Sequence, residues 1–240
     1  MSQSWTVLEH TRLEQLEENL WQVEGTVPRL PLRRRMTVVR LADGSLVVHN
    51  AIALEEEQQR ALEALGSVRY VVVPNPWHRL DAPAYAARYP DAKILCPRPA
   101  TKRVEKVVRV DGTLAALPAD PALASEPLEG SSIGEHALVV RSGARATIVF
   151  GDSVMNNPKL PGVKGWLYGL TGSTSNDENG RPLVTPLAKL AMVRDKAALR
   201  THLTRLSSLT GLTRVIPGHG LLATDAVSAP RLLEAAAASL

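Results

Sequence analysis

The sequence contains a single cysteine, Cys96, so the chain cannot form an internal disulfide. Nothing in its cysteine usage therefore indicates an oxidising compartment. The first five residues lack the basic segment and following apolar core that mark a secretory signal. No uninterrupted apolar stretch is long enough to cross a bilayer. We therefore expect a cytoplasmic protein with no membrane partner.

Aromatic residues are also scarce, at 4% of the chain with one phenylalanine, although hydrophobic residues make up 45%. A core with this composition must depend on leucine, valine and alanine. A chain of 240 residues is long enough to bury a sizeable core, and no break in composition divides it. We therefore expect one domain over residues 1–240.

Short β-branched runs alternate with amphipathic segments, which is typical of an α/β protein. Strands are predicted at 20–23, 36–41, 45–49, 68–73, 92–96, 135–141, 146–150 and 213–216. Helices are predicted at 8–20, 55–65, 81–89, 195–208 and 229–240. The glycine- and proline-rich segment 156–186 is too long for a simple connector, so we expect a mobile flap there.

Polar side chains follow three of these strands. His219 lies between two glycines after the strand that ends at Ile216, and Asp152 follows Gly151 after another apolar strand. The strand at 68–73 leads into a loop that contains His78 and, three residues later, Asp81. A catalytic metal site needs several such ligands from different strand ends and an open position for water. The pattern therefore points to His78, Asp152 and His219, with Asp81 alongside them if the loop forms a helical turn.

These segments resemble the metallo-β-lactamase superfamily over nearly the whole chain. In that family a Gly-Asp after a strand supplies a carboxylate that bridges two metals, and a late Gly-His-Gly supplies a histidine ligand, which implies these roles for Asp152 and His219. The pattern from Arg35 to Leu41, followed by Asp43-Gly44 and by Pro74-Asn75 with His78, is similar to a branch of unknown function. The resemblance implies an α/β fold, an αβ/βα four-layer sandwich of metallo-β-lactamase type.

The family motif His-x-His-x-Asp-His is incomplete in this chain. Asn75 and Trp77 occupy two of the expected histidine positions, and no histidine lies in the turn at 130–132. We therefore expect a degenerate site with at most one ion, Zn or Fe, held by His78, Asp152 and His219. The alternative is a site without metal, in which Asp152 and His219 hydrogen-bond to each other.

The resemblance implies a metal-dependent hydrolase of a small ester, thioester, lactone or phosphoester. His78 and Asp81 are the expected catalytic residues, and Asp81 would ligate the ion or accept a proton. The alternative is a metal-free protein of the same fold that binds a small ligand or acts as a scaffold. Trp77 would line the pocket or else pack in the core.

The net charge is +4, and part of the excess of basic residues is concentrated in the triplet at 33–35 and in a second basic segment at 98–109. Such charges could bind phosphate, nucleic acid or an acidic substrate. Because no aromatic residues are interleaved with them, a solvated surface is favoured over nucleic-acid contact. We expect a small-molecule partner and no nucleic acid, and the oligomeric state is left open.

Overall fold

The computed structural model describes residues 5–158, 162–170 and 184–240. Its strands are β1 (Glu14–Glu17), β2 (Leu20–Thr26), β3 (Arg33–Arg40), β4 (Leu46–His49), β5 (Val68–Val72), β6 (Lys93–Leu95), β7 (Leu123–Pro127), β8 (His136–Ser142), β9 (Arg145–Val149) and β10 (Leu212–Ile216). Its α-helices are α1 (Glu56–Glu63), α2 (Ala82–Arg88), α3 (Thr101–Val104), α4 (Gly162–Leu170), α5 (Pro186–Met192), α6 (Lys196–Ser207) and α7 (Ser228–Ala238). None of these helices is long and apolar enough to span a membrane.

The strands form two sheets. The first has the order β1-β2-β3-β4-β5-β6 and the second the order β10-β9-β8-β7. In the first sheet β4, β5 and β6 are parallel, whereas β1 to β4 are antiparallel. In the second sheet β9 and β10 are parallel. The loops that leave the carboxyl ends of parallel strands meet at one edge of each sheet, which is where α/β proteins place their ligands.

Alternation along the central strands produces a layered core, because successive side chains of a strand point to opposite faces. Val38 of β3 packs in a core with residues of α1 and α2, whereas the next residue, Val39, packs between the two sheets. Val139 of β8 likewise joins a core with α6 and α7, and Val140 faces the other sheet. The result is an αβ/βα four-layer sandwich, as predicted.

The amino-terminal helix predicted at 8–20 is wrong. Glu14–Glu17 form the edge strand β1, which pairs antiparallel with β2 through the turn at 18–19. The spacing of Leu16 and Leu20 is compatible with a helix, but both side chains pack into the core between the sheets. Tertiary packing has therefore overridden local propensity here.

Helix α5 was not predicted from the sequence, although its start carries recognisable signals. Thr185 caps the helix by accepting a hydrogen bond from the Ala188 N–H at 3.0 Å. Pro186 occupies the first turn, where its missing N–H has no helical partner to lose. The other predicted strands and helices are present within one to three residues of their expected bounds.

Candidate functional site

Three side chains from the loops after β5, β9 and β10 converge at one point. His78 Nε2 lies 2.8 Å from Asp152 Oδ1, and His219 Nε2 lies 3.1 Å from the same oxygen. The two Nε2 atoms are 3.2 Å apart, and all three side chains are almost completely buried. Among the described residues, this is the only group of three or more possible ligands whose atoms all lie within 4.8 Å of one another. The structure thus brings together the three predicted ligands.

The ring of His219 is oriented by the backbone of β3. Its Nδ1 lies 2.6 Å from the carbonyl oxygen of Arg33, and a carbonyl can only accept, so Nδ1 carries the hydrogen. In the neutral ring the lone pair of Nε2 therefore faces Asp152 Oδ1, which is also an acceptor. Two acceptors this close repel each other unless a proton or a cation lies between them. This arrangement of a second ring nitrogen on a carbonyl is typical of metal-binding histidines.

The electrostatics of the cluster also favour positive charge. Burial alone would lower the pKa of His219, but the hydrogen bond and negative charge of Asp152 raise it overall. Burial would raise the pKa of Asp152, but the charges and hydrogen bonds of His78 and His219 hold it well below its ordinary value. Asp152 is therefore a carboxylate at neutral pH, and it attracts either an imidazolium or a metal ion.

Asn75 orients both the carboxylate and the His78 loop. Its Nδ2 donates to Asp152 Oδ2 at 2.8 Å. Its Oδ1 accepts the N–H groups of Trp77 at 2.9 Å and His78 at 3.2 Å. Asn75, which stands where the resemblance led us to expect a histidine, thus holds both the carboxylate and the loop, and Asp152 contacts the two imidazole rings through Oδ1.

Glu135 is not among the residues that the sequence predicts for the site, yet it fixes the backbone beside Asp152. Its buried carboxylate accepts three successive N–H groups, from Gly151 at 2.9 Å, Asp152 at 2.9 Å and Ser153 at 3.1 Å. Burial and the charge of Asp152 raise the pKa of Glu135 to about 7, while the three N–H groups act in the opposite direction. The only sequence signal was an acidic residue at the start of an apolar strand.

The glycines on either side of His219 let its loop lie directly against two others. A Cβ on Gly218 would lie 2.4 Å from the carbonyl oxygen of Gly151, and one on Gly220 would lie 2.0 Å from that of Asn156. Gly220 also has a φ of +92°, which side chains rarely adopt. The Gly218 N–H donates to the Gly151 carbonyl at 3.0 Å. The Gly-His-Gly sequence is therefore required by close backbone approach.

Asp81 does not join the cluster, which corrects its expected role as a ligand or proton acceptor. Its Oδ2 accepts hydrogen bonds from Arg34 Nη2 at 2.5 Å and from the Ala53 N–H at 3.0 Å. Asp81 immediately precedes α2, and the loop before it is shaped by Asn75 rather than wound into a helical turn. Asp81 is therefore the partner of a buried arginine.

Two of the three arginines at 33–35 do not belong to a solvated basic surface. Arg34 and Arg35 are each only 5% exposed. Arg35 pairs with Glu24 at 2.6 Å and donates to the carbonyls of Pro217 at 3.1 Å and Gly220 at 2.9 Å. Arg35 thus bonds the His219 loop to β3, and Arg34 bonds Asp81, which precedes α2, to β3. Both arginines therefore have a structural role and belong neither to a solvated surface nor to a phosphate site.

Trp77 is more exposed to solvent than His78, whereas His49 is more deeply buried. The Trp77 side chain is 47% exposed, so the alternative of core packing is wrong for this residue. Its ring lies beneath the guanidinium of Arg103, 5.9 Å from the ring centroid. His49, at the end of β4, is buried, and burial together with the charge of His78 lowers its pKa to about 3. The exposed ring of Trp77 is thus available to a ligand, whereas His49 is a buried side chain that is neutral at neutral pH.

The flap predicted at 156–186 falls partly outside the described residues, which omit 159–161 and 171–183. Between these ranges the chain forms α4, whose Val163, Trp166 and Leu167 are exposed. The covering of the site by this segment stays a prediction.

Comparison with known proteins identifies the fold of the chain that carries this site. A family model for a domain of unknown function, DUF4336, matches residues 18–100, and a search of curated proteins found no match. The chain is similar to the solved structure of DIM-1 metallo-β-lactamase exposed to ceftazidime, with 14% identity, 97% of this chain and 98% of that chain covered, and a TM-score of 0.62.

Two further solved structures give the same result. A metallo-β-lactamase from Pontibacter korlensis has 10% identity and a TM-score of 0.58, with 93% of this chain and 98% of that chain covered. The mono-zinc form of FIM-1 from Pseudomonas aeruginosa has 10% identity and a TM-score of 0.59, with 98% of each chain covered. Identities this low establish a shared architecture rather than a shared activity. The chain has the metallo-β-lactamase fold.

Proposed function

We propose that the protein is a metal-dependent hydrolase of a small ester, thioester, lactone or phosphoester, with one Zn or Fe ion held by His78, Asp152 and His219. The observation that carries this proposal is the convergence of two imidazole nitrogens and one carboxylate oxygen, with the Nε2 lone pair of His219 directed at another acceptor. The chain's fold supports a hydrolytic role but does not select the substrate.

The spacing of the three ligand atoms fits a zinc ion. With tetrahedral geometry and bonds of about 2.0–2.1 Å, ligand atoms lie about 3.3 Å apart. The separations of 2.8, 3.1 and 3.2 Å are a few tenths of an ångström smaller, so small outward movements of the side chains would admit the ion. Three protein ligands leave a fourth position open, as in catalytic zinc sites.

A bound ion would supply Lewis acidity, which lowers the pKa of a coordinated water to about 7 and polarises a substrate carbonyl or phosphoryl group. The chain's own residues set the geometry for that chemistry. The Arg33 carbonyl fixes the tautomer of His219, and Asn75 and Glu135 hold the side chain and backbone of Asp152. Trp77 offers an exposed aromatic surface next to His78 for the apolar part of a substrate.

A single ion is favoured over two. Asp152 Oδ2, the oxygen that would be free for a second metal, already accepts from Asn75. Asn75 and Trp77 also stand where imidazoles of a dinuclear site are expected, and two ions need more ligands than this cluster offers. Two ions per chain at normal ligand distances would contradict this part of the proposal.

The alternative is a metal-free protein that binds a small ligand in the same place. It is favoured by the hydrogen bonds of Asp152, whose two oxygens contact Asn75, His78 and His219. With His219 as an imidazolium, these contacts satisfy the cluster without an ion.

Elemental analysis of protein purified without added metal separates the two. We expect about one Zn or Fe per chain in the wild type, and loss of that ion in His219→Ala and in Asp152→Asn. His10→Ala is the matched control, because His10 lies outside the cluster and contacts the Glu55 N–H instead. Hydrolysis of a panel of nitrophenyl esters, lactones and thioesters then tests activity. Wild type without stoichiometric metal, even after incubation with Zn²⁺, would favour the binding protein.

A further inference from the structure

We infer that the site accepts a small anionic molecule with a planar ring, held by Trp77 and by five basic residues of the segments that follow β5 and β6. This cationic rim consists of Arg79, Arg98, Lys102, Arg103 and Lys106. The inference rests on the proposed function for the position of the reacting group, which would lie at His78. Trp77 would stack on the planar part of the molecule, and the rim would hold its phosphate or carboxylate.

Direct contacts place the rim against the His78 loop. Trp77 and Arg79 are the neighbours of His78 in the chain. The Arg103 guanidinium lies over the Trp77 ring, and Arg79 Nη1 donates to the carbonyl oxygen of Arg103. The short helix α3, which carries Arg103, is therefore fastened to the loop that supplies one of the candidate ligands.

The fold explains why the two segments meet. β5 and β6 are parallel neighbours, so the loops after them leave from the same edge of the sheet. The His78 loop follows β5, and the rim segment from Arg98 onward follows β6. Pro99 packs so closely on Gly134 that a Cβ there would lie 2.8 Å from the proline Cδ. Gly134 precedes Glu135, so the rim segment also reaches the part of the second sheet that holds Asp152.

The charges of the rim have no acidic partner among the described residues. None of the five rim residues forms an ion pair with a described residue, and four of them are exposed. Arg109, in the same basic segment, is instead paired with Asp111 and bonded to two carbonyls. Unpaired cations at the edge of a buried site raise the local concentration of anions. The rim therefore fits an anionic ligand better than a neutral one.

A small molecule fits these features better than a nucleic acid. Strand-binding surfaces combine a basic groove with several aromatic rings on which successive bases stack. The rim offers one exposed ring, that of Trp77, which precedes His78 of the cluster in the chain. One ring with a short run of basic residues matches a single planar anion.

A matched pair of probes tests the inference without turnover. 2-Naphthoate and 2-naphthamide share a ring system and differ in charge, and neither contains an ester. Their binding is followed by the indole N–H signals of ¹⁵N-labelled protein, with Trp77→Phe to assign Trp77. We expect naphthoate to shift the Trp77 signal and to bind about tenfold more tightly than naphthamide, a factor that two exposed charges can supply.

The charge dependence is tested with two double variants. Arg103→Ala/Lys106→Ala should remove the preference for naphthoate. The control is Arg69→Ala/Lys93→Ala, which removes the same charge from exposed residues near the amino-terminal ends of β5 and β6. This variant should retain the preference for naphthoate. Equal binding of the two probes to wild type, equal loss in both double variants, or shifts that leave Trp77 unaffected would overturn the inference. So would binding of a ten-residue oligouridylate more than a hundredfold tighter than uridine monophosphate, because the partner would then be RNA.

The outcome is distinguishable from that of the proposed hydrolase. Naphthoate binding requires neither metal nor catalysis, so the preference over naphthamide should persist in wild type that has been dialysed against a chelator. Wild type that lacks metal but prefers naphthoate would reject the hydrolase and keep the anionic ligand. Wild type with one ion and no such preference would do the reverse.

Discussion

His49 should make the stability of the protein depend on pH in a way that one substitution removes. Its ring is buried at the end of β4, and burial followed by the charge of His78 lowers its pKa from 6.5 to about 3. In the unfolded chain the ordinary value of 6.5 applies. Below pH 6.5 the unfolded state therefore binds a proton that the folded state excludes, so the free energy of unfolding falls as the pH falls.

The magnitude follows from the width of that pH range. Each unit below 6.5 removes about 1.4 kcal/mol from the free energy of unfolding. At pH 5 the loss is about 2 kcal/mol, and it stops growing near the folded-state pKa of about 3. Above pH 6.5 the ring is neutral in both states, and the contribution is constant.

His49→Gln removes the titrating group and keeps a polar side chain of similar size. Urea unfolding of wild type and variant at several values between pH 7.5 and 5 gives the difference in unfolding free energy at each pH. Other groups, including Glu135 with its raised pKa, are present in both proteins and cancel in that difference. The unfolding free energy of the variant minus that of wild type should increase by about 2 kcal/mol when the pH is lowered from 7.5 to 5.

Measurements between pH 7.5 and 8.5 are the control, because the His49 ring is neutral in both states in that range and the difference between variant and wild type should stay nearly constant. A difference that is also constant between pH 7.5 and 5 would refute the reasoning, since it would mean that the folded protein can protonate His49 at little cost.

Three further substitutions test contacts around the site. Asp81→Asn should destabilise the protein by about 3–5 kcal/mol in urea unfolding, because it leaves the buried charge of Arg34 uncompensated; any metal that the wild type binds should remain in the folded variant, because Asp81 lies outside the cluster. Gly220→Ala should cost more than about 2 kcal/mol and lower metal content, since its Cβ would collide with the Asn156 carbonyl; an unchanged midpoint would show that this loop moves freely. Glu135→Ala should cost about 2–4 kcal/mol by leaving three N–H groups unpaired, and stability equal to wild type would mean that water replaces the carboxylate.

Local signals were sufficient to predict two of the three convergent side chains with their loops. The apolar runs that become β9 and β10 each end at a glycine followed by Asp152 or His219, and glycine beside a functional side chain indicates close backbone approach. The layered fold was likewise predictable once the family resemblance was combined with alternating strands. No glycine stands beside His78, so that signal was missing for it, and the structure places its Nε2 beside Asp152.

The residues that were missed or misassigned depend on contacts between distant segments. Asp81 was expected near His78 on the assumption of a helical turn, but hydrogen bonds to Asn75 Oδ1 hold the loop in another shape. The burial of Arg34 and Arg35 arises only when α2 and the His219 loop pack against β3. No window of sequence around these residues contains their partners, so composition alone indicated a charged surface.

Hydrogen bonds between segments of the two sheets position the side chains of the site, so a metal ion would not be needed to order them. β3 of the first sheet orients His219 of the second through the Arg33 carbonyl. Asn75 from the first sheet holds the Asp152 carboxylate, while Glu135 holds its backbone within the second. Because these contacts fix the ligands before any ion arrives, binding would order few side chains and so lose little affinity to entropy. The protein's fold would then be stable without metal, unlike that of small zinc domains that unfold when metal is removed.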